Sequence, residues 1–120
     1  MRLLLISNST NAGEPYLQYP MPQIGDFLKG IKEIVFVPYA AVTFSYAEYE
    51  AKVQARFDEL GIRVRSVHRS KNPAKMIREA EAICVGGGNT FALARMMQRQ
   101  KLMSAIKSKI EKGTPYVGWS

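Results

Sequence analysis

The last residues of the chain have the types and spacing of a serine nucleophile. Residues 118–120 read Gly-Trp-Ser, the first three positions of the pattern G-x-S-x-G. In that pattern a sharp turn between a strand and a helix exposes the serine Oγ above a sheet. Because so short a match is common by chance, a serine in an ordinary loop stays open as the alternative. The motif predicts that Ser120 is a nucleophile if a strand precedes it.

A run of three glycines, residues 86–88, is the second candidate for chemistry. Consecutive glycines permit positive φ and a close backbone approach. Backbone N–H groups ahead of a helix can bind an anion, such as the oxyanion of a tetrahedral intermediate. The run lacks the Gly-Lys of a Walker loop and the third glycine of a dinucleotide fingerprint. A purely structural turn remains the alternative.

The other reactive side chains fit structural roles better. His68 is the only histidine and precedes Ser120, whereas the base histidine of elbow-type hydrolases follows the serine. Cys84, the only cysteine, lies within an apolar run and is most simply a core residue; it cannot form an internal disulfide, which favours a reducing cytoplasm. The tyrosines Tyr46 and Tyr49 belong to the apolar stripe of a helix, and residues 8–10 are typical of a turn at a strand end.

Composition and charge exclude several classes of protein. The 120 residues are 47% hydrophobic, and this length and composition indicate one globular domain over residues 1–120. No apolar run approaches the roughly 20 residues of a membrane span. The net charge is +7, but the late basic residues flank apolar ones at helical spacing. With no aromatic residues among them to stack bases, they predict a solvated helix face and no nucleic-acid partner.

Strand and helix signals alternate from one end of the chain to the other. The expected strands are residues 3–7, 33–38, 62–67, 82–85 and 115–118. The expected helices are residues 16–29 (starting late or kinked at its prolines), 45–60, 72–80, 91–97 and 102–112. Such alternation predicts a three-layer α/β sandwich with a parallel sheet, of the flavodoxin-like kind. The first strand, a continuous apolar run, is expected to be covered on both faces, and residues 115–118 are expected to form an exposed edge.

The predicted strands bring the two motifs together. In parallel α/β sheets, binding sites form where the strands end, at their carboxyl edge. Residues 7–9, residues 86–89 and Ser120 all follow predicted strands. We therefore expect them to share one edge of the sheet.

The glycine run and the Gly-Trp-Ser end, together with residues 3–10 and 35–40, resemble the peptidase E family over the whole chain. The resemblance implies a cytoplasmic serine peptidase that cleaves dipeptides beginning with aspartate, without a metal or a cofactor. It implies a fold similar to that of class I glutamine amidotransferases, with Ser120 as nucleophile. The Gly88 N–H then supplies half of the oxyanion hole, and Gly87 and Asn89 are candidate substrate contacts.

Members of that family are about twice as long, so the resemblance covers only their N-terminal half. The histidine and acid of the triad and most of the aspartate-binding residues are then expected beyond this chain. The expected partner is the C-terminal remainder, as a second chain or a further segment, and the 120 residues alone are expected to be inactive. A cyanophycinase-like peptidase of the same fold, or a non-catalytic binding or assembly fragment, is the alternative.

Overall fold

Five parallel strands form one sheet in the computed structural model, which describes residues 1–120. They are β1 (Leu3–Ile6), β2 (Glu33–Val37), β3 (Arg63–Ser66), β4 (Ile83–Val85) and β5 (Tyr116–Trp119). Their order across the sheet is β1-β5-β4-β2-β3. Strands β3, β2, β4 and β5 follow the order 2-1-3-4 of the flavodoxin-like sheet, and β1 lies beyond them, next to β5. The predicted three-layer α/β class is confirmed.

Five helices cover the two faces of the sheet. They are α1 (Met21–Phe27), α2 (Tyr46–Phe57), α3 (Pro73–Arg78), α4 (Thr90–Arg99) and α5 (Leu102–Glu111). One apolar core lies between the sheet and α1 and α2, and a second lies between the sheet and the other three helices. None of the helices combines the length and the apolar character that crossing a membrane requires.

Local sequence signals set the ends of these helices. Helix α2 begins at a capping box, in which the Ser45 Oγ accepts from the Glu48 N–H at 3.0 Å and the Glu48 carboxylate accepts from the Ser45 N–H at 3.0 Å. A one-turn 3-10 helix extends it to Gly61, which has a φ of +68°. Helix α1 starts late, after Pro20, as its prolines predict. Helix α2 therefore begins in the loop that follows β2, at the carboxyl edge of the sheet.

Two expectations about the sheet edges are wrong. The strand β5 lies inside the sheet, paired with β1 and β4, and the edges are β1 and β3. Strand β1 is covered on one face only, because Leu3 and Leu5 are 42% and 71% exposed. A continuous apolar run shows that both faces of a strand are apolar, but it does not show what packs on them. Chain order likewise gives no sign that the first strand joins the sheet outside the last.

Candidate active site

The carboxyl edge of the sheet holds one cavity that both sequence motifs reach. The cavity measures about 350 Å³ and is lined by residues that follow four of the strands. Ser7 follows β1, Ala40 follows β2, the glycines 86–88 follow β4, and Ser120 follows β5. The prediction that the two motifs share one edge is confirmed.

The backbone of Ser120 is held by two hydrogen bonds, whereas its side chain is exposed. Its N–H donates to the Ile6 carbonyl at 3.2 Å, and its carbonyl accepts from the Ser9 N–H at 3.0 Å. Its Oγ donates to the Ser7 carbonyl, and the residue as a whole is exposed. The backbone of Ser120 is thus anchored to β1 and to the turn that follows it. The hydroxyl sits at the wall of the cavity, where a substrate can reach it.

The turn over residues 8–10 has the structural role that the sequence favours. The Asn8 Oδ1 accepts from the Thr10 N–H at 3.3 Å, which closes a local side-chain turn. The Ser9 carbonyl accepts from the Leu17 N–H at 2.8 Å. Because the Ser9 N–H also donates to the Ser120 carbonyl, this turn positions Ser120 through the backbone.

The glycine loop passes so close to Ser120 that a side chain would not fit. A Cβ built on Gly87 would lie 2.3 Å from the Ser120 Cα. Gly88 has a φ of +145°, and a Cβ there would lie 2.5 Å from the Ala40 carbonyl oxygen. That φ is one that glycine adopts without strain. The Gly88 N–H donates to no group of the chain, so it is free to donate to a bound molecule.

Asn89 ends the loop and starts the next helix. Its N–H donates to the Ala40 carbonyl at 2.9 Å, and its Oδ1 accepts from the Ala92 N–H at 2.9 Å as the N-cap of α4. Thr90, the first residue of α4, lines the cavity, whereas Asn89 does not. The positive end of the α4 dipole therefore faces the same edge as Ser120, where it favours negative charge.

A chain of hydrogen bonds under the cavity joins the serine turn to the glycine loop. The Trp119 Nε1–H donates to the Tyr16 hydroxyl at 2.6 Å, and Tyr16 donates to the Tyr49 hydroxyl at 3.3 Å. The Tyr49 hydroxyl donates to the Gly87 carbonyl at 2.9 Å. Burial raises the pKa of both tyrosines, so each hydroxyl stays protonated and remains a donor.

Sequence reasoning placed Tyr49 correctly in the core but missed this contact. Tyr49 is 3% exposed and packs edge-to-face on Phe36. A buried tyrosine hydroxyl normally has a hydrogen-bond partner. Tyr49 also lies in the first turns of α2, at the carboxyl edge of the sheet. A core tyrosine at the start of a helix that follows a strand was therefore the sequence signal that its hydroxyl reaches the strand-end loops.

His68 lies too far from Ser120 to act as its base. It follows β3, which is three strands from β5, a separation of about 14 Å at the usual strand spacing. Its ring contacts Ser66, and burial lowers its pKa, a shift that the nearby Glu50 carboxylate opposes. The cavity therefore brings the Ser120 hydroxyl and the free Gly88 N–H together without a histidine of this chain.

Comparison with known proteins assigns the family. The family model for "Peptidase family S51" matches residues 3–120. The chain belongs to peptidase family S51. Among its S51 relatives, the peptidase E of Nostoc sp. is 46% identical over 99% of this chain and 50% of its own length. The peptidase E of Pasteurella multocida is 44% identical over 98% of this chain and 51% of its own length.

Solved structures share the fold of this S51 chain. A protein of Listeria monocytogenes EGD-e matches with a TM-score of 0.74 and 22% identity, over 98% of this chain and 57% of its own. A peptidase from an acI-B1 actinobacterium matches with a TM-score of 0.73 and 20% identity, over 98% and 53%. The chain spans about half the length of the curated relatives that it matches.

Proposed function

We propose that this chain carries the nucleophile half of a serine dipeptidase that hydrolyses dipeptides with an N-terminal aspartate. The observation that supports this most directly is the cavity that Ser120 shares with the free N–H of Gly88. Membership of family S51 and the peptidase E relatives support the reaction class. A cytoplasmic location, which the resemblance implies, is part of the same proposal.

In the proposed reaction the Ser120 Oγ attacks the carbonyl carbon of the aspartyl residue. The Oγ proton passes to a base, the carbonyl oxygen becomes an oxyanion, and the Gly88 N–H donates to it. Collapse of the tetrahedral intermediate breaks the peptide bond, and the leaving amine takes up the proton. Water then hydrolyses the aspartyl ester and regenerates Ser120. Gly87, which lines the cavity, is the better placed of the two proposed substrate contacts, because Asn89 lies outside the cavity and caps α4.

We propose that the base lies in a region corresponding to the part of the relatives that this chain does not match. His68 is remote, so the proposed partner is the C-terminal remainder, as a second chain or a further segment, which supplies the histidine and the acid. The positions of Leu3 and Leu5 support this proposal, because they leave apolar surface of β1 beside the cavity uncovered. An apolar groove of about 640 Å³ between α4, α5 and β5 continues that surface. Large exposed apolar patches mark interaction sites.

Replacement of Ser120 tests the proposal. In the full-length protein, Ser120→Ala should lower kcat for an Asp-X dipeptide by a factor on the order of 10⁴ or more, since no other group can take over the attack. Ser108→Ala is the matched control, because Ser108 is exposed on α5 away from the cavity. Turnover by Ser120→Ala at the rate of the control would refute the assignment.

Substrate comparison separates the proposal from a cyanophycinase-like peptidase. The full-length protein should hydrolyse dipeptides with an α-linked N-terminal aspartate in preference to those with a β-aspartyl linkage. A reversed preference, measured as kcat/KM for the two isomers, would favour the other peptidase of this fold.

A further inference from the structure

Tyr49 contacts the peptide group that carries the Gly88 N–H, the oxyanion donor that this chain is proposed to supply. Its hydroxyl donates to the Gly87 carbonyl at 2.9 Å, and that carbonyl belongs to the peptide unit that carries the Gly88 N–H. Because a trans peptide is planar, its C=O and N–H point in opposite directions. A bond that holds the carbonyl toward the core at Tyr49 therefore holds the Gly88 N–H away from it.

The packing around Tyr49 restricts that bond to one geometry. The ring lies edge-to-face with Phe36 at a centroid distance of 4.9 Å and with Phe44 at 5.2 Å. A Cβ on Gly86 would lie 2.3 Å from the Tyr49 oxygen, so the preceding glycine admits the hydroxyl to the loop. Otherwise the loop over residues 86–88 would be free to rotate its peptide, because glycine permits both signs of φ.

The hydrogen bonds that reach Tyr49 all run in one direction. The Trp119 N–H donates to Tyr16, Tyr16 donates to Tyr49, and Tyr49 donates to the Gly87 carbonyl. Trp119 directly precedes Ser120 and its ring is stacked with Phe36 at 6.0 Å. Aligned hydrogen bonds of this kind strengthen one another. The turn that carries the nucleophile and the loop that carries the oxyanion donor are thereby tied through side chains of α2 and of the segment before α1.

We infer that Tyr49 is a positioning residue, which fixes the Gly88 N–H toward the oxyanion through the Gly87 carbonyl, and that Tyr16 and Trp119 couple this orientation to Ser120. The inference rests on the proposed peptidase function. A donor that is pre-oriented stabilises the transition state more than the bound substrate, so its loss lowers kcat and leaves KM nearly unchanged.

Removal of one hydroxyl tests the inference in the full-length protein. Tyr49→Phe keeps the ring and should lower kcat for an Asp-X dipeptide by about tenfold or more, less than the loss of a whole oxyanion donor. The KM should change by less than about twofold, because ground-state binding does not use this bond. The inhibition constant of an aspartyl aldehyde, which forms a tetrahedral adduct with serine, should rise in parallel with the fall in kcat.

Matched variants separate positioning from a general loss of stability. Tyr46 lies on the same helix, and its hydroxyl makes no hydrogen bond. Tyr46→Phe should therefore leave kcat unchanged. Replacement of Tyr49 by p-aminophenylalanine keeps a donor at the same place and should restore kcat. Tyr16→Phe should lower kcat by a smaller factor than Tyr49→Phe, and it carries the test if Tyr49→Phe does not fold.

The outcomes distinguish failure of the inference from failure of the proposed function. An inactive Ser120→Ala protein together with a folded Tyr49→Phe protein of wild-type kcat would overturn the inference alone. A fall in kcat matched by an equal rise in KM would also overturn it, because that pattern indicates lost binding. An active Ser120→Ala protein would overturn the peptidase assignment on which the inference depends.

Discussion

Ser120 and Gly88 line the same cavity. Both candidates could be predicted from the sequence, whereas the contacts that orient them could not. A nucleophile and a glycine loop are visible in sequence because their chemistry needs particular residue types, Ser and Gly, directly after strands. The contacts that orient them are not visible in that way. Tyr49 differs from any other core tyrosine only in where its hydroxyl points, which depends on how α2 packs on the sheet.

Gly88→Ala should lower both activity and stability, because two separate penalties apply. The backbone φ of +145° is strained for alanine, and the new Cβ would lie 2.5 Å from the Ala40 carbonyl oxygen. The free energy of unfolding, measured by urea denaturation, should fall by about 2–4 kcal/mol. Gly113→Ala is the control, since Gly113 has a φ of +92° and no atom within 4 Å of its added Cβ. It should cost only about 1–2 kcal/mol and leave kcat intact; equal effects of the two changes would contradict the close approach.

At the scale of elements, capping and glycine signals predicted where the helices begin and end, whereas strand order was beyond them. Ser45 with Glu48, Asn72 with Pro73, and Gly61 each act through neighbours in sequence, so a local pattern suffices. The place of β1 outside β5 depends on contacts more than a hundred residues apart. No local pattern carries that information, and for the same reason the exposed face of β1 was not foreseen.

The edge strand β3 is protected by side chains of α2, an arrangement that also was not evident from sequence. The Gln54 Oε1 accepts from the Val64 N–H at 2.8 Å, and its Nε2 donates to the Ile62 carbonyl at 3.0 Å. The Glu50 carboxylate accepts from the Ser66 N–H at 2.8 Å. These bonds occupy backbone groups that would otherwise be open to pairing with another strand.

Gln54→Leu should therefore destabilise the protein although it adds apolar surface. The change leaves two backbone groups of the β3 segment without their partners, which costs about 1–3 kcal/mol in the free energy of unfolding. Gln98→Leu is the control, because Gln98 lies exposed on α4 without a side-chain hydrogen bond. Urea denaturation of both variants checks the expectation, and equal stabilities would show that the α2 contacts contribute nothing.

At the scale of the whole molecule, the two edges of the sheet differ. Side chains of α2 bond the backbone of edge strand β3, whereas one face of edge strand β1 is exposed. Composition and alternation predicted the three layers, because a chain that alternates strand and helix has few ways to bury both faces of a sheet. They could not show that one face of β1 lacks a cover, because which residues pack on a face is set by contacts between distant parts of a chain. The proposed C-terminal remainder would cover this face and supply the histidine that the cavity lacks.

The bare face should make the 120 residues associate when they are produced alone. Leu5 is 71% exposed on an edge strand, so Leu5→Lys should shift the sedimentation of the 120-residue chain toward the monomer. Val42→Lys is the control, since Val42 is 62% exposed in the loop after β2 and should leave association unchanged. Leu5→Lys in the full-length protein should instead lower stability. A monomeric wild-type chain at high concentration would contradict this expectation.

Covalent labelling of the nucleophile tests the central claim most directly. The full-length protein is treated with a fluorophosphonate, which reacts with activated serines, and digested with trypsin. The peptide that begins at Gly113, after Lys112, contains Ser120 as the only serine among residues 113–120. Fragmentation in the mass spectrometer should place the phosphonate on Ser120, and prior incubation with an Asp-X dipeptide should slow the labelling. Label on another serine, with Ser120 unmodified and the peptidase inhibited, would contradict the account.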